Sequence, residues 1–232
     1  MNIPFLISGR CTPDRRLLRD RSGVALLEFA LGLPVFLLLI LAGAELTNYV
    51  STRMRISQLT LHIADNAARI GSGSQLQVKK ITEADINDVL TGAGTQAAEL
   101  DLYARGRVII SSLEAMPAPN TTGRYRVRWQ RCRGQKRTHK SSYGVVGRSS
   151  GTNMEGMGPG PVSRQAIAPE GGATMFVEVY YEYEPLVGAT WLPSSVTTRI
   201  IDVASMMVRD RRDLSGGEDG VYQVAGVSRS GC

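Results

Sequence analysis

The sequence predicts an α+β fold in which a long N-terminal helix packs on a mostly antiparallel sheet. Three observations carry that expectation. An apolar run from Val24 to Ala44 passes into helical periodicity that lasts to Ile70. From Arg107 onward the apolar residues recur with period two. A Gly- and Pro-rich stretch, Gly134 to Gly172, separates the second and third alternating segments. Helix first and strands afterwards is the pattern of a layered α+β chain.

Residues 1–23 read as a basic leader, with Arg10, Arg15, Arg16, Arg19 and Arg21 against Asp14 and Asp20. From Val24 to Ala44 only Glu28 is charged. At ~1.5 Å per residue such a run covers ~30 Å of hydrocarbon, enough for one membrane span. Beyond it the nearest cations are Arg53 and Arg55, so the positive-inside rule keeps the N-terminus cytoplasmic and exports the chain beyond the span. The alternative is a cleaved secretory signal, because Ala42-Gly43-Ala44 has the A-x-A form. Against it stand the length of the run, its carboxylate and Pro34.

Residues 45–70 continue the helix as an amphipathic segment. Leu46, Tyr49, Ile56, Ile63, Ala67 and Ile70 recur at three-to-four and seven-residue spacing, and Val50, Met54, Leu61, Ala64 and Ala68 form a neighbouring stripe. Gly71-Ser72-Gly73 supplies the stop. A second, shorter helix is expected from Thr82 to Leu90, capped by Thr82, with Gly92 to Ala97 as a linker after it. Strands are expected at Arg107 to Leu113, around Tyr125, Val127 and Trp129, and at Thr174 to Tyr183. Val196 to Val208 is ambiguous between strand and helix. The long Gly-rich stretch 134–172 reads as a surface loop, and residues 71–232 as one exported α+β domain.

Composition narrows the function. The 232 residues carry 27 Lys+Arg against 21 Asp+Glu, a formal +6, with 43% hydrophobic residues, which excludes a largely disordered chain and a polytopic membrane protein. Three Cys and two His, none at metal-ligand spacing, give no metal site. Cys11 falls in the leader, whereas Cys132 and Cys232 both fall in the exported part. That even pair suggests a disulfide there, with two free thiols as the alternative. Catalytic motifs are weak. Gly147-Arg148-Ser149-Ser150-Gly151 matches G-x-S-x-G but lacks the strand and helix of a nucleophile elbow. Gly92-Ala93-Gly94-Thr95-Gln96-Ala97 follows a helix and not a strand, and neither His62 nor His139 has an acid placed by sequence to orient it. The chain is expected to have no enzymatic activity and no cofactor.

The strongest charge signal is a run without Asp or Glu that contains Arg124, Arg126, Arg128, Arg131, Arg133, Lys136, Arg137, Lys140 and Arg148, interleaved with Tyr125, Trp129 and Tyr143. Such a run suits contact with a polyanion such as DNA. The alternative is a solvated strand face that pairs with Glu178, Glu182 and Glu184.

The stretch Ser22-Gly23-Val24-Ala25-Leu26-Leu27-Glu28-Phe29-Ala30-Leu31-Gly32-Leu33-Pro34 follows the basic leader with a glycine, then places one carboxylate fifth and an aromatic sixth in the apolar run. It resembles the processing region of type IVb prepilins. With Pro34 and Glu45 it is similar to the TadE/TadF-type pseudopilins of the Tad (Flp) pilus system. The resemblance covers about residues 20–70, and Trp129 to Gly134 together with Cys232 is also similar to members of that family. It implies a pilin-like fold and cleavage between Gly23 and Val24 by an aspartyl prepilin peptidase. It also implies a single-pass inner-membrane protein with a periplasmic C-terminal domain that can enter a pilus. The implied partners are other pilin and pseudopilin subunits, the peptidase, the inner-membrane assembly platform and the bilayer.

Glu28, with Phe29 beside it, then becomes the carboxylate that sets subunit register. A charge within the span costs a few kcal/mol unless paired, and cleavage would supply a cation at the Val24 amine of a neighbour. A Glu28 that snorkels to the headgroups is the alternative. The competing function is a bitopic anchored module whose basic exported domain binds a polyanion, and a weaker one is an exported enzyme using the Gly-rich loop.

Overall fold

A computed structural model of the chain describes residues 22–73, 77–186 and 198–232. The basic leader up to Arg21, with Cys11, and the first residues of the Val196–Val208 segment lie outside them. The chain divides into two compact units between Leu46 and Thr47.

In the first unit the described residues are all helix, the opening part of α1 (Ser22–Arg69). Leu26, Phe29, Leu31, Leu38 and Ile40 are all exposed, which is the signature of a helix whose solvent is not water. The helix is long and apolar enough to cross a membrane. Pro34 sits inside it without ending it, at the cost of one backbone hydrogen bond.

The second unit is a four-stranded antiparallel sheet of order β2-β1-β3-β4, with β1 Gly106–Ala115, β2 Tyr125–Arg133, β3 Ala173–Glu182 and β4 Arg199–Met207. The ambiguous fourth segment is therefore a strand. Helical residues cover one sheet face. The outer part of α1 buries Ile56, Leu59, Ile63, Ala64 and Ala67 in a cluster with Val108, Ile110, Trp129, Met175, Val177 and Val179. The three-to-four spacing of those α1 residues is what turns them to one side. The end of α1 is held from outside the helix, because Arg212 donates from Nη2 to the carbonyls of Ala67 at 2.8 Å and Ile70 at 3.3 Å. A cation on the last carbonyls suits both their lone pairs and the helix dipole. Burial pulls the Arg212 guanidinium down to about 10.

α2 (Glu83–Ala97) starts at its expected cap. Thr82 Oγ1 accepts from the Asp85 amide, and the Asp85 carboxylate accepts from the Thr82 amide in return. The helix runs seven residues past Leu90, so the expected linker Gly92 to Ala97 is helix. Its glycines do not break it because Ala93 and Ala97 are buried on the core side, and because Gly94 is needed. A Cβ there would stand 2.6 Å from the Tyr103 ring of α3 (Leu102–Arg105), whose hydroxyl donates to the Leu90 carbonyl. The cost of glycine in a helix is offset by that packing.

Two expectations about the sheet need correction. Tyr125, Val127 and Trp129 do not share a face. A bulge opposite Ser112 and Leu113 makes Arg128 an extra residue, so Val127 joins one cluster and Trp129 the other. The stretch 134–172 is also more than a surface loop. It covers the second sheet face, where Met157 and Ala168 pack with Leu113, Val127 and Phe176. Met157 and Ala166 exchange backbone hydrogen bonds of 2.8–2.9 Å, and Gln130 reaches from β2 to the Gly144 carbonyl and the Val146 amide. Its glycines let it fold tightly, since a Cβ on Gly151 would stand 2.2 Å from the Val145 carbonyl oxygen. Alternation in β3 therefore hides two buried faces.

Candidate functional site

At the start of α1, Gly23 and Val24 lie in the first turn of the helix, where backbone N–H groups lack intrahelical partners. Among the described residues, the helix's own adjoining backbone aside, no atom comes within 4 Å of where a Gly23 Cβ would stand. Glu28 and Phe29 lie further along on exposed helix, between Leu27 and Leu31, and no cation among the described residues pairs with Glu28. In the second unit α1 also keeps an uncovered apolar line. Val50, Met54 and Leu61 are 45%, 58% and 50% exposed, whereas Ala64 and Ala68 of the same expected stripe are buried.

The basic run is taken apart by the fold. Arg131 has no exposed side-chain surface and lies against Glu83 of α2, also fully buried, and Asp219 at 2.9 Å. It is therefore unavailable to a polyanion. The sequence hid this because its partners lie 48 and 88 residues away. Arg124 pairs with Glu155 at 2.8 Å, Lys136 pairs with Glu182, and Arg133 donates to Thr91 Oγ1 at 2.8 Å. Of the three expected acidic partners only Glu182 meets the run through a Lys or Arg. Glu184 pairs with Arg105 at 2.5 Å, and Glu178 accepts from Ser141 Oγ and the Ser142 amide, with His139 Nε2 at 3.0 Å. The exposed Arg137 gives its carbonyl to Arg107. His139 thus does have an acid beside it, and it stacks on Tyr180 at 4.2 Å, which makes it a bracket between loop and sheet.

Arg126 and Arg128 flank Glu114, which is 5% exposed. Burial outweighs both cations, with Asp219 adding to the effect, and pushes the Glu114 carboxyl up to about 7. The unfolded chain releases this proton near 4.5 and the folded chain near 7. Between these values the unfolded state binds fewer protons, so stability falls as pH rises, by about 3 kcal/mol in all, and levels off above 7. Denaturant unfolding of the full chain in detergent, at steps from pH 4.5 to 7.5, should show this slope and Glu114→Gln should remove it. Parallel pH profiles for the two proteins would rule out Glu114 as its source.

Cys132 and Cys232 are joined by a disulfide with Cα atoms 5.0 Å apart, beside a backbone bond from the Cys132 amide to the Ser230 carbonyl at 2.9 Å. Ser149 of the G-x-S-x-G match lies in a short 3-10 turn and follows no strand. Among the described residues no group of three or more His, Cys, Asp or Glu is placed to hold a metal. Arg107, Glu114 and Arg212, all buried, carried no signal in the sequence, since each lies outside any motif.

No curated protein and no solved structure matches the chain. The residues behind the resemblance, Gly23 to Pro34, fall inside a match to the family model of TadE-like proteins that spans residues 23–72.

Proposed function

We propose that the chain is a membrane-anchored pseudopilin, or minor pilin, of a Tad-type pilus, matured by a prepilin peptidase between Gly23 and Val24. The leader stays in the cytoplasm, residues 24–44 span the inner membrane, and the α+β domain lies in the periplasm or in the assembled pilus. Its partners are other pilin and pseudopilin subunits and the inner-membrane assembly platform, and its role is structural. The observation that carries the reading is the TadE-like match on a helix whose apolar half holds Glu28, which no cation among the described residues pairs.

The physical argument starts from that carboxylate. Within hydrocarbon it needs a cation, and removal of the leader creates one at the Val24 amine, four residues upstream on a neighbouring copy or a related subunit. Packing of helices then satisfies both charges and fixes their axial register. The exposed Val50, Met54 and Leu61 extend the apolar contact along α1. The polyanion-binding alternative loses support from the pairing of Arg124, Arg131 and Lys136.

One experiment tests both parts. In cells that contain the peptidase, mass spectrometry of the native protein and of Glu28→Gln should find both chains beginning at Val24, since the scissile bond is untouched. The Gln variant should reach the membrane normally yet assemble poorly, because an uncompensated amine weakens association by about two orders of magnitude or more. An intact Met1, a terminus at Glu45, or normal piliation by the Gln variant would count against the proposal.

A further inference from the structure

We propose that the cavity beside the Cys132–Cys232 bond binds a small organic anion, a single carboxylate or phosphate group on a compact apolar body. The cavity measures about 310 Å³, at the small end of ligand pockets. Arg107, Lys140, Arg148 and Arg229 line it, and among the described residues no Asp or Glu does. Arg229 is already paired with Asp219 at 2.7 Å, which leaves Arg107, Lys140 and Arg148 without an Asp or Glu partner around one concavity, a local excess of positive charge that an anion relieves. Ile109, Val145 and Val146 supply the apolar part of the wall.

Arg107 is the central group. It stands at the start of β1 and is 3% exposed. Its Nη1 donates to the carbonyls of Arg137 at 2.6 Å and His139 at 2.8 Å, and its Nη2 to the Cys232 oxygen at 3.1 Å. Its Nε is buried without a partner, and no described Asp or Glu side chain pairs with it. Burial, then the nearby Arg137, pulls this guanidinium below its usual value, as expected of an uncompensated cation. Lys140 Nζ also reaches the Cys232 oxygen, at 2.8 Å, so the cavity already holds one oxygen acceptor between two of its cations. The Arg148 side chain has no partner among the described residues and remains for a ligand.

The walls are fixed before any ligand arrives. Glu178 holds Ser141 and Ser142, Gln130 holds Gly144 and Val146, and the disulfide fixes Cys232 against β2. A preorganised site of this size suits one oxyanion. It does not suit a nucleic-acid duplex, whose charges are spread along a backbone every ~1.7 Å.

The test is calorimetric titration of the full-length chain in detergent with benzoate, phenyl phosphate, inorganic phosphate and neutral benzyl alcohol, at an ionic strength fixed with sodium chloride. Benzoate or phenyl phosphate should bind saturably, one per chain, with a dissociation constant between about 10 μM and 1 mM. The tighter of the two identifies the headgroup. Inorganic phosphate, without the apolar body, should bind about tenfold more weakly, and benzyl alcohol not at all. Lys140→Met with Arg148→Met, both at exposed positions, should weaken binding about tenfold or more while unfolding as the native chain does. Absence of saturable binding by both organic anions, or binding unchanged in the double variant, would overturn the proposal.

Discussion

Replacing both Cys132 and Cys232 by Ser is expected to lower the unfolding free energy of the α+β domain by about 4.7 kcal/mol, the chain-entropy cost of releasing a loop of this length. The bond joins residues 100 apart in sequence, so the loop it closes runs from the end of β2 through the Gly-rich layer, β3 and β4 to the last residue described. The segment it ties down is otherwise held by single polar contacts, among them Arg107 and Lys140 on the Cys232 oxygen and Arg229 on Asp219. Asn87 of α2 donates to the Ser228 carbonyl at 2.9 Å and accepts from Ser230 Oγ at 2.6 Å, and the Cys132 amide reaches the Ser230 carbonyl. Single hydrogen bonds of that kind add about 1 kcal/mol each. Without the disulfide the last residues should therefore detach before the sheet melts, and the wall of the anion cavity with them. Denaturant unfolding of the full chain in detergent, comparing native, reduced and double-Ser protein, measures the loss. A change below about 1 kcal/mol would show that the loop is already ordered in the unfolded chain.

The parts of this fold that were legible are those whose cause is local. The α1 helix shows in the sequence because apolar spacing and the absence of breakers act within a turn or two, and its observed bounds, Ser22–Arg69, lie within two residues of the expected ones. Thr82 shows as a cap because its partner Asp85 is three residues away. The β3 strand shows through its alternation. The hidden parts were set by residues distant in sequence. Gly92 and Gly94 read as a linker because nothing nearby reveals that the Tyr103 ring needs the space. Arg128 reads as a strand residue in phase, whereas the partner strand makes it a bulge. The Gly-rich stretch reads as surface because Met157, Ala166 and Ala168 are too sparse to register as periodic, although they pack on Leu113, Val127 and Phe176 of the second sheet face. The site divides in the same way. Gly23 and Glu28 are visible from spacing, while the cavity cations come from β1, the Gly-rich layer and the segment after β4, and only the fold gathers them.

Arg131 shows how far such gathering can invert a reading, and its replacement should be nearly as costly as loss of the disulfide. In the sequence it is one cation in a basic run. In the fold its Nε lies 3.0 and 2.9 Å from the two Glu83 oxygens, its Nη2 bonds Glu83 and Asp219, and its Nη1 donates to the Gln130 carbonyl at 3.0 Å. Its guanidinium also lies 5.6 Å from the Trp129 ring. Arg131→Met keeps most of the volume but leaves the buried Glu83 carboxylate with only Gln223, whose Nε2 is 3.3 Å away, and the first turn of α2. An uncompensated buried charge of this kind costs about 3 to 5 kcal/mol. Removing both charges should cost far less, because two apolar side chains of similar volume need no partner, and Asp219 keeps Arg229 at 2.7 Å. The expected result is thus that Arg131→Met unfolds at much lower denaturant concentration, and that adding Glu83→Leu recovers most of the loss, with a coupling energy of about 2 kcal/mol or more in the double-mutant cycle. Additive losses in the two single variants would mean that Glu83 and Arg131 each act through their other neighbours and not through one another.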